Sequence, residues 1–463
     1  MNFRYFFGTM LCILFAAISC KTDEIVFDAP TSALKFSKDT VFIDTVYHQI
    51  RSEAYAVKVY NQEDKDVMIP RIALRDGANS QYRINVDGRP GTQFTNVPLR
   101  RKDSLFIFVE MAPKANAPEA IAEDKIQFEG AANTKEITLF SVVQDAEFFI
   151  ESKTNPNIIT ENIVWDNSKA KVIFGKLSLA EGKTLTIQKG TKVYFTKNGS
   201  LSLGKNSTLK VNGELGNEVL FRGDRSDTRY DTIALNWKGI SADQGAKLHI
   251  NYAKIFGGET GILLNSSEAE IKNSIIHTFQ KFGIQSVASK LNLENSVLSN
   301  CGEANLGIYK GGSTTLLHST LANFWKLNSA MPAYALFVTN EFNNGNSTEN
   351  GAVNLTVKNS IIFGERENAV SFKPINGQNF SYQFSHSLLK IGKDSGFSFD
   401  ANPAIKNSIK NEDPKFANIF THKLNLRVKD DSPAKAKTPV ISGLEKDIAG
   451  TSRTNPATIG AYQ

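Results

Sequence analysis

Residues 271–276 read IKNSII, and residues 293–298 read LENSVL. The same frame returns as LHSTLA (317–322), VKNSII (357–362) and FSHSLL (384–389). A second column runs out of phase with it: Gly239-Ile240, Gly261-Ile262, Gly283-Ile284 and Gly307-Ile308, spaced by 22, 22 and 24 residues. Upstream, LTIQKGTKVYF (185–195) is followed 24 residues later by LKVNGELGNEVLF (209–221). Self-similarity at 20–50 residues marks a repeat architecture. A period of 22–24 suits one coil of a parallel β-helix, with three short strands and three turns per lap. Alternate side chains then point inward and stack on their equivalents above and below.

Two adjacent slots of the frame are apolar in nearly every copy. Ile275, Val297, Thr320, Ile361 and Leu388 occupy the first, and Ile276, Leu298, Leu321, Ile362 and Leu389 the second. Neighbouring residues of one strand face opposite ways, so a bend between the slots is expected if both serve one core. Asn273, Asn295, His318, Asn359 and His386 form a further column. Asparagine tolerates left-handed backbone at tight turns, and stacked amides can form a hydrogen-bonded ladder. The two histidines are read as ladder substitutes. Roughly eleven coils fit over 158–410, each rising about 4.8 Å. Parallel crossovers are right-handed. The 41 residues from His318 to Asn359 imply an extra coil or a long loop, and EFNNGNSTENG (341–351) should protrude.

Before the repeat, AYAVKVYN (54–61), SLFIFVEM (104–111) and EITLFSVV (136–143) have strand character and are separated by polar turns. About seven such runs over 33–150 suit a β-sandwich. Asp87-Gly88 reads as a hairpin turn, with Tyr82 and Arg83 beside it. The fold class is therefore all-β: an N-terminal β-sandwich followed by a right-handed parallel β-helix.

The chain has 463 residues and a formal charge of +6, with its positive residues scattered. That pattern implies a solvated surface and no nucleic-acid partner. The N-terminus carries Arg4, an apolar stretch from Tyr5 to Ile18, and Cys20 after Ala16, Ala17 and Ser19. The apolar stretch is too short to span a bilayer, which takes about 20 residues, and suits a signal peptide over 1–19. Of the three cysteines, Cys12 leaves with the signal. Cys20 and Cys301 remain, too few for a cysteine metal cluster, and no metal or cofactor is expected.

Residues 14–24, LFAAISCKTDE, resemble a bacterial lipoprotein lipobox followed by the export signal of Bacteroidetes surface lipoproteins, here Lys21, Asp23 and Glu24. The resemblance implies a lipidated (palmitate-bearing) Cys20, a tether over 20–32 and a partner in the outer membrane, with the protein displayed at the cell surface. KDTVFIDTVY (38–47), YRINVDGRPG (82–91), KDSLFIFVEM (102–111) and VVQDAEFF (142–149) resemble an immunoglobulin-like module of the ASH/HYDIN type, which serves as a spacer. EDPKFAN (412–418), LNLRVKDDSPAKAKT (424–438), DIAG (447–450) and TIGAYQ (458–463) resemble the ending of right-handed β-helix proteins with choice-of-anchor Q ends. In that family the tail, here 411–463, wraps the last coil and returns along the rod. Gln463 departs from the pattern, which has an acid there.

Hydrolases of this shape need paired carboxylates from adjacent coils. The NTD, DD, GHG and RIK patterns of polygalacturonase-like enzymes are absent from the coils. One charged stretch stands out, RGDRSDTRYD (222–231), with Asp224, Arg225 and Asp227 as candidates for a sugar-carboxylate site. A second candidate is Phe324 and Trp325 in NFWKLN (323–328), whose rings either fill the core or cap the insert, or stand exposed where they could stack on sugars. Trp165 and Trp237 read as packing residues at the coil edge. The expectation is a non-catalytic surface lipoprotein that binds a glycan or another surface component through a side face of the helix. The alternatives are a polysaccharide lyase or hydrolase on that face, and a structural envelope protein.

Overall fold

The computed structural model describes residues 26–32, 34–47, 51–113, 119–130, 134–152, 156–225, 228–420 and 423–463. The signal peptide, Cys20 and Asp227 lie outside these. The chain divides into two units, one ending at Val143 and the other running from Gln144 to Gln463.

The first unit is a sandwich of two five-stranded sheets. In Ser104–Met111 the pattern SLFIFVEM buries Leu105, Ile107 and Val109 and leaves Phe106 and Phe108 outside. That alternation is what a half-buried strand requires. Tyr82–Val86 turns back into Arg89–Gly91 through Asp87 and Gly88, at φ 53° and 75°. Positive φ at both central residues makes the two-residue turn that matches strand twist.

The second unit is the parallel β-helix. One of its faces is an eleven-stranded sheet running from Ala146–Ile150 to Ile409–Lys410, so eleven rungs lie among the described residues, ten of them within 158–410. Its first strand, Ala146–Ile150, pairs in parallel with Ala170–Phe174. The helix therefore starts at 146 and not at 158, and the sandwich ends before 150. AEFFI alternates like its upstream neighbours, and only its pairing partner assigns it.

The interior is built of columns. Ile240, Ile262, Ile284, Leu306, Leu336 and Val370 stack in register. The fourth Gly-Ile pair is thus two residues out of phase, since Leu306 and not Ile308 continues the column. A longer column runs Ile187, Val211, Ile250, Ile271, Leu293, Leu316, Val357 and Phe384. Each fully buried Leu or Ile contributes roughly 1.5–3 kcal/mol.

The expected bend is absent. Ile276, Leu298, Leu321, Ile362 and Leu389 point into the helix, but their neighbours Ile275, Val297, Thr320, Ile361 and Leu388 point out. Val297, Thr320, Ile361 and Leu388 are buried all the same, and Ile275 is partly buried. Phe416, Leu426, Ala434, Ile448, Ile459 and Ala461 of the C-terminal tail cover this outward set. There are two apolar layers, one on each side of a single sheet.

The turn column is a ladder. Asn273, Asn295, His318, Asn359 and His386 all have φ between 45° and 54°. Asn273 Nδ2 donates to Asn251 Oδ1 at 2.8 Å, Asn295 Nδ2 to Asn273 Oδ1 at 3.2 Å, and Asn359 Nδ2 to His318 Nε2 at 2.9 Å. A second ladder lies one residue on. Ser274, Ser296, Ser319, Ser360 and Ser387 are buried, and each backbone N–H donates to the hydroxyl of the next rung's serine at 3.1–3.4 Å. The serine was visible in NSII, NSVL and HSTL, and its role was missed. The 41-residue spacing is a single enlarged rung, because Thr320–Asn323 pairs directly with Ile361–Gly364. Its excess forms an exposed hairpin, Glu341–Asn343 against Thr348–Asn350.

Burial, with the Arg453 charge close by, pushes His318 down to about 3. His318 is 0% exposed and neutral in the fold. An unfolded histidine titrates near 6.5, so the fold binds fewer protons than the unfolded chain below that pH. This part of the stability is full above about pH 6.5 and is lost toward pH 3, at up to about 1.4 kcal/mol per pH unit. His318→Asn keeps the ladder geometry and removes that slope. Urea midpoints at pH 7 and 4.5 should show wild type losing over about 1 kcal/mol more than the variant. Equal losses would refute the assignment.

Candidate ligand-binding groove

Outward residues of three rungs meet a long loop and the tail around a cleft of ≈ 710 Å³. The rungs supply Lys254, Ile275, His277 and Val297. The loop supplies Arg229, Asp231 and Thr232, and the tail supplies Lys423, Leu424, Leu426 and Tyr462. A smaller hollow shares Lys254, Ile275 and Tyr462 and adds Glu218, Tyr252 and Arg427 among others. The two form one groove with an apolar floor and a basic rim.

The rung residues are placed by the strand period. Ile255 and Ile276 face inward, so Lys254, Ile275 and His277 must face outward. The loop leaves strand Val219–Gly223 and makes a 3-10 turn at Thr228–Thr232. It is anchored by Arg222, whose side chain is 11% exposed. Arg222 pairs with Asp231 at 2.7 Å, donates to the Arg225 carbonyl, and lies 5.2 Å from the centre of the Phe256 ring. Phe256 in turn stacks on His277 with centroids 4.8 Å apart and a tilt of 10°. Burial pushes His277 down to about 4, so it is a neutral hydrogen-bonding group at pH 7. Lys254 reaches Glu218 at 3.3 Å, and the Arg427 guanidinium covers Tyr462 at 4.6 Å.

The sequence-stretch RGDRSDTRYD is therefore at the groove, with its roles redistributed. Asp224 is tied back to the rung, its N–H donating to the Phe195 carbonyl at 2.9 Å, and Arg225 stacks on Tyr230 at 4.6 Å. Neither lines the cleft; Arg229 and Asp231 do. Phe324 and Trp325 are a correction. They are 6% and 5% exposed and present no open ring for a sugar. Phe324 packs edge-on against Phe416 under the tail. Trp325 packs with Ala234 and Ala333, and so braces the loop that forms the groove wall. Trp165 and Trp237 are core residues, at 1% and 0% exposure.

Chemically, the groove offers cations over an apolar floor. Its two lining carboxylates are each paired with a cation, Asp231 with Arg222 and Glu218 with Lys254. Paired carboxylates for glycoside hydrolysis need two such groups flanking the bond. Among the described residues, no group of three or more His, Cys, Asp or Glu side chains could hold a metal ion. Lys254 and His277 were legible as outward slots of AKIF and IIHTF. The tail residues carried no such signal.

Residues 178–324 match the family described as right-handed β-helix region. No curated protein matches the sequence. Among solved structures, the chain is similar to the ASH/PapD-like domain 7 of human CEP192, at 8% identity over 26% of this chain and 94% of that one, with a TM-score of 0.17. It is also similar to a family 123 glycoside hydrolase from Clostridium perfringens, at 8% identity over 29% of this chain and 30% of that one, with a TM-score of 0.21. A protein of unknown function from Porphyromonas gingivalis gives 10% identity over 32% of this chain and 60% of that one, with a TM-score of 0.18.

Proposed function

We propose that this chain is a non-catalytic, lipid-anchored protein of the outer membrane that holds an anionic glycan in the groove on its β-helix. The observation that carries the reading is the cation set Arg229, Lys254 and Lys423 above Ile275, Val297 and Leu426. Carboxylate or sulfate groups pair with the cations by charge-assisted hydrogen bonds. The apolar faces of sugar rings meet the floor. The sandwich is the spacer, and Cys20 carries the anchor.

The test is a panel of hexasaccharides: heparin-derived, oligogalacturonate and neutral cellohexaose. Binding of an acidic member that weakens with salt, with no new reducing ends or unsaturated products, supports the reading. Equal binding of the neutral sugar, no binding at all, or turnover of any member overturns it. Separately, Cys20→Ala should move the protein from the membrane to the soluble fraction. Unchanged retention would reject the anchor.

A further inference from the structure

One wall of the groove belongs to a segment that is attached to the β-helix only by side-on contacts. Residues after Ile409–Lys410 no longer add rungs. The tail lies on the outward slots and is pinned to the turn ladder and the sheet by several hydrogen bonds, among them Asn295 Nδ2 to the Lys446 carbonyl at 2.6 Å and the Gly460 N–H to the Asn359 carbonyl at 2.8 Å. Arg453 donates to Asn295 Oδ1 at 2.7 Å, and Asn359 Nδ2 donates to the Pro439 carbonyl at 2.8 Å. The Ala461 N–H donates to Thr320 Oγ1 at 3.0 Å. The next residue after that last pin is Tyr462, which lines the groove. Leu426 belongs both to the apolar seal and to the groove wall. Lifting Leu426 or Tyr462 off the sheet removes part of the groove wall.

We infer that the tail is a strap whose docking completes the groove, so that ligand occupancy and strap docking form one coupled equilibrium. This rests on the groove being the binding site. A ligand spanning Lys254 on the rung and Lys423 on the tail touches both sides of the seam, and so favours the docked form. Linkage makes the effect reciprocal: whatever loosens the strap weakens binding, and whatever binds tightens the strap.

Gly460 is not itself a lining residue of the groove, and it allows the strap to be loosened. Its φ is +105°, and an added Cβ would lie 2.8 Å from Thr320 Oγ1 and 3.0 Å from Ile361 Cδ1. Gly460→Ala therefore strains the backbone and pushes the chain end off the sheet. Thr320→Val is the milder variant, removing the acceptor for the Ala461 N–H. Hydrogen exchange of the Gly460 and Ala461 amides reads docking, and calorimetry with the acidic hexasaccharide reads affinity.

In wild type, saturating sugar should slow exchange at these amides roughly tenfold. Across wild type, Thr320→Val and Gly460→Ala, affinity should fall in the order that exchange accelerates, by about tenfold or more at the extreme. Affinity that is independent of exchange rate, with wild type binding normally, overturns the strap and leaves the groove standing. A wild-type protein that binds no acidic sugar overturns the groove itself.

Discussion

Trp237→Ala should lower the unfolding free energy of the β-helix by about 3–5 kcal/mol, the cost of emptying a large buried aromatic site. Trp237 is 0% exposed and among the largest fully buried side chains of the protein. It stacks on Phe195 at 4.2 Å and meets Phe279 edge-on at 6.2 Å. Its Nε1–H donates to the Phe256 carbonyl at 2.8 Å, so the substitution also strips the donor from a buried acceptor. The rungs above and below are held by their own ladders and cannot collapse into the space. Trp325→Ala should cost less, because Trp325 sits in a small satellite cluster with Ala234 and Ala333. Urea midpoints of the two variants, read by circular dichroism, give the comparison. A loss below about 1 kcal/mol at Trp237 would contradict the packing described.

Lys254→Glu should weaken binding of the acidic hexasaccharide by roughly 30- to 100-fold, about 2–3 kcal/mol. Lys254 is common to both halves of the groove. The change removes a charge-assisted bond and brings a carboxylate beside Glu218, which Lys254 now pairs at 3.3 Å. The salt dependence of binding should flatten as well. The side chain is 47% exposed and points away from the core, so the melting curve should hardly move. An unchanged affinity in a folded variant would remove this groove from the function.

The interior of this protein was readable before any coordinates, because each rung repeats one problem. A side chain every second residue must face the lumen, and it meets its own counterpart one period later. Leu298 and Leu321 follow from that rule, and so do Asn273 and Asn295 at the left-handed turn. The serine beneath them obeys it too: a hydroxyl next to a tight turn can accept the N–H of the rung before it. At Gly307-Ile308 the pattern misled by two residues, because the ladder keeps its 22-residue offset from Ile284 to Leu306 while this Gly-Ile pair stands 24 residues on; the one-residue register shift comes only after it, between Val287 and Ser289.

The outside was not readable in this way. Val297 and Leu388 looked like core and are core, but against residues more than 25 positions away in a tail without repeats. Phe324 and Trp325 looked like an exposed sugar platform because their covers, Phe416 and Ala234, stand about 90 residues away on either side. The groove joins three segments, near 230, 254–297 and 423–462, that no local period relates. Short-range alternation and a 22- to 24-residue recurrence dictate a coiled parallel sheet, since both act between neighbours in the chain or one lap apart. Which outward face is covered, and where a cleft is left, depends on how a non-repeating tail lies across it, and contacts of that kind exist only once the chain has folded.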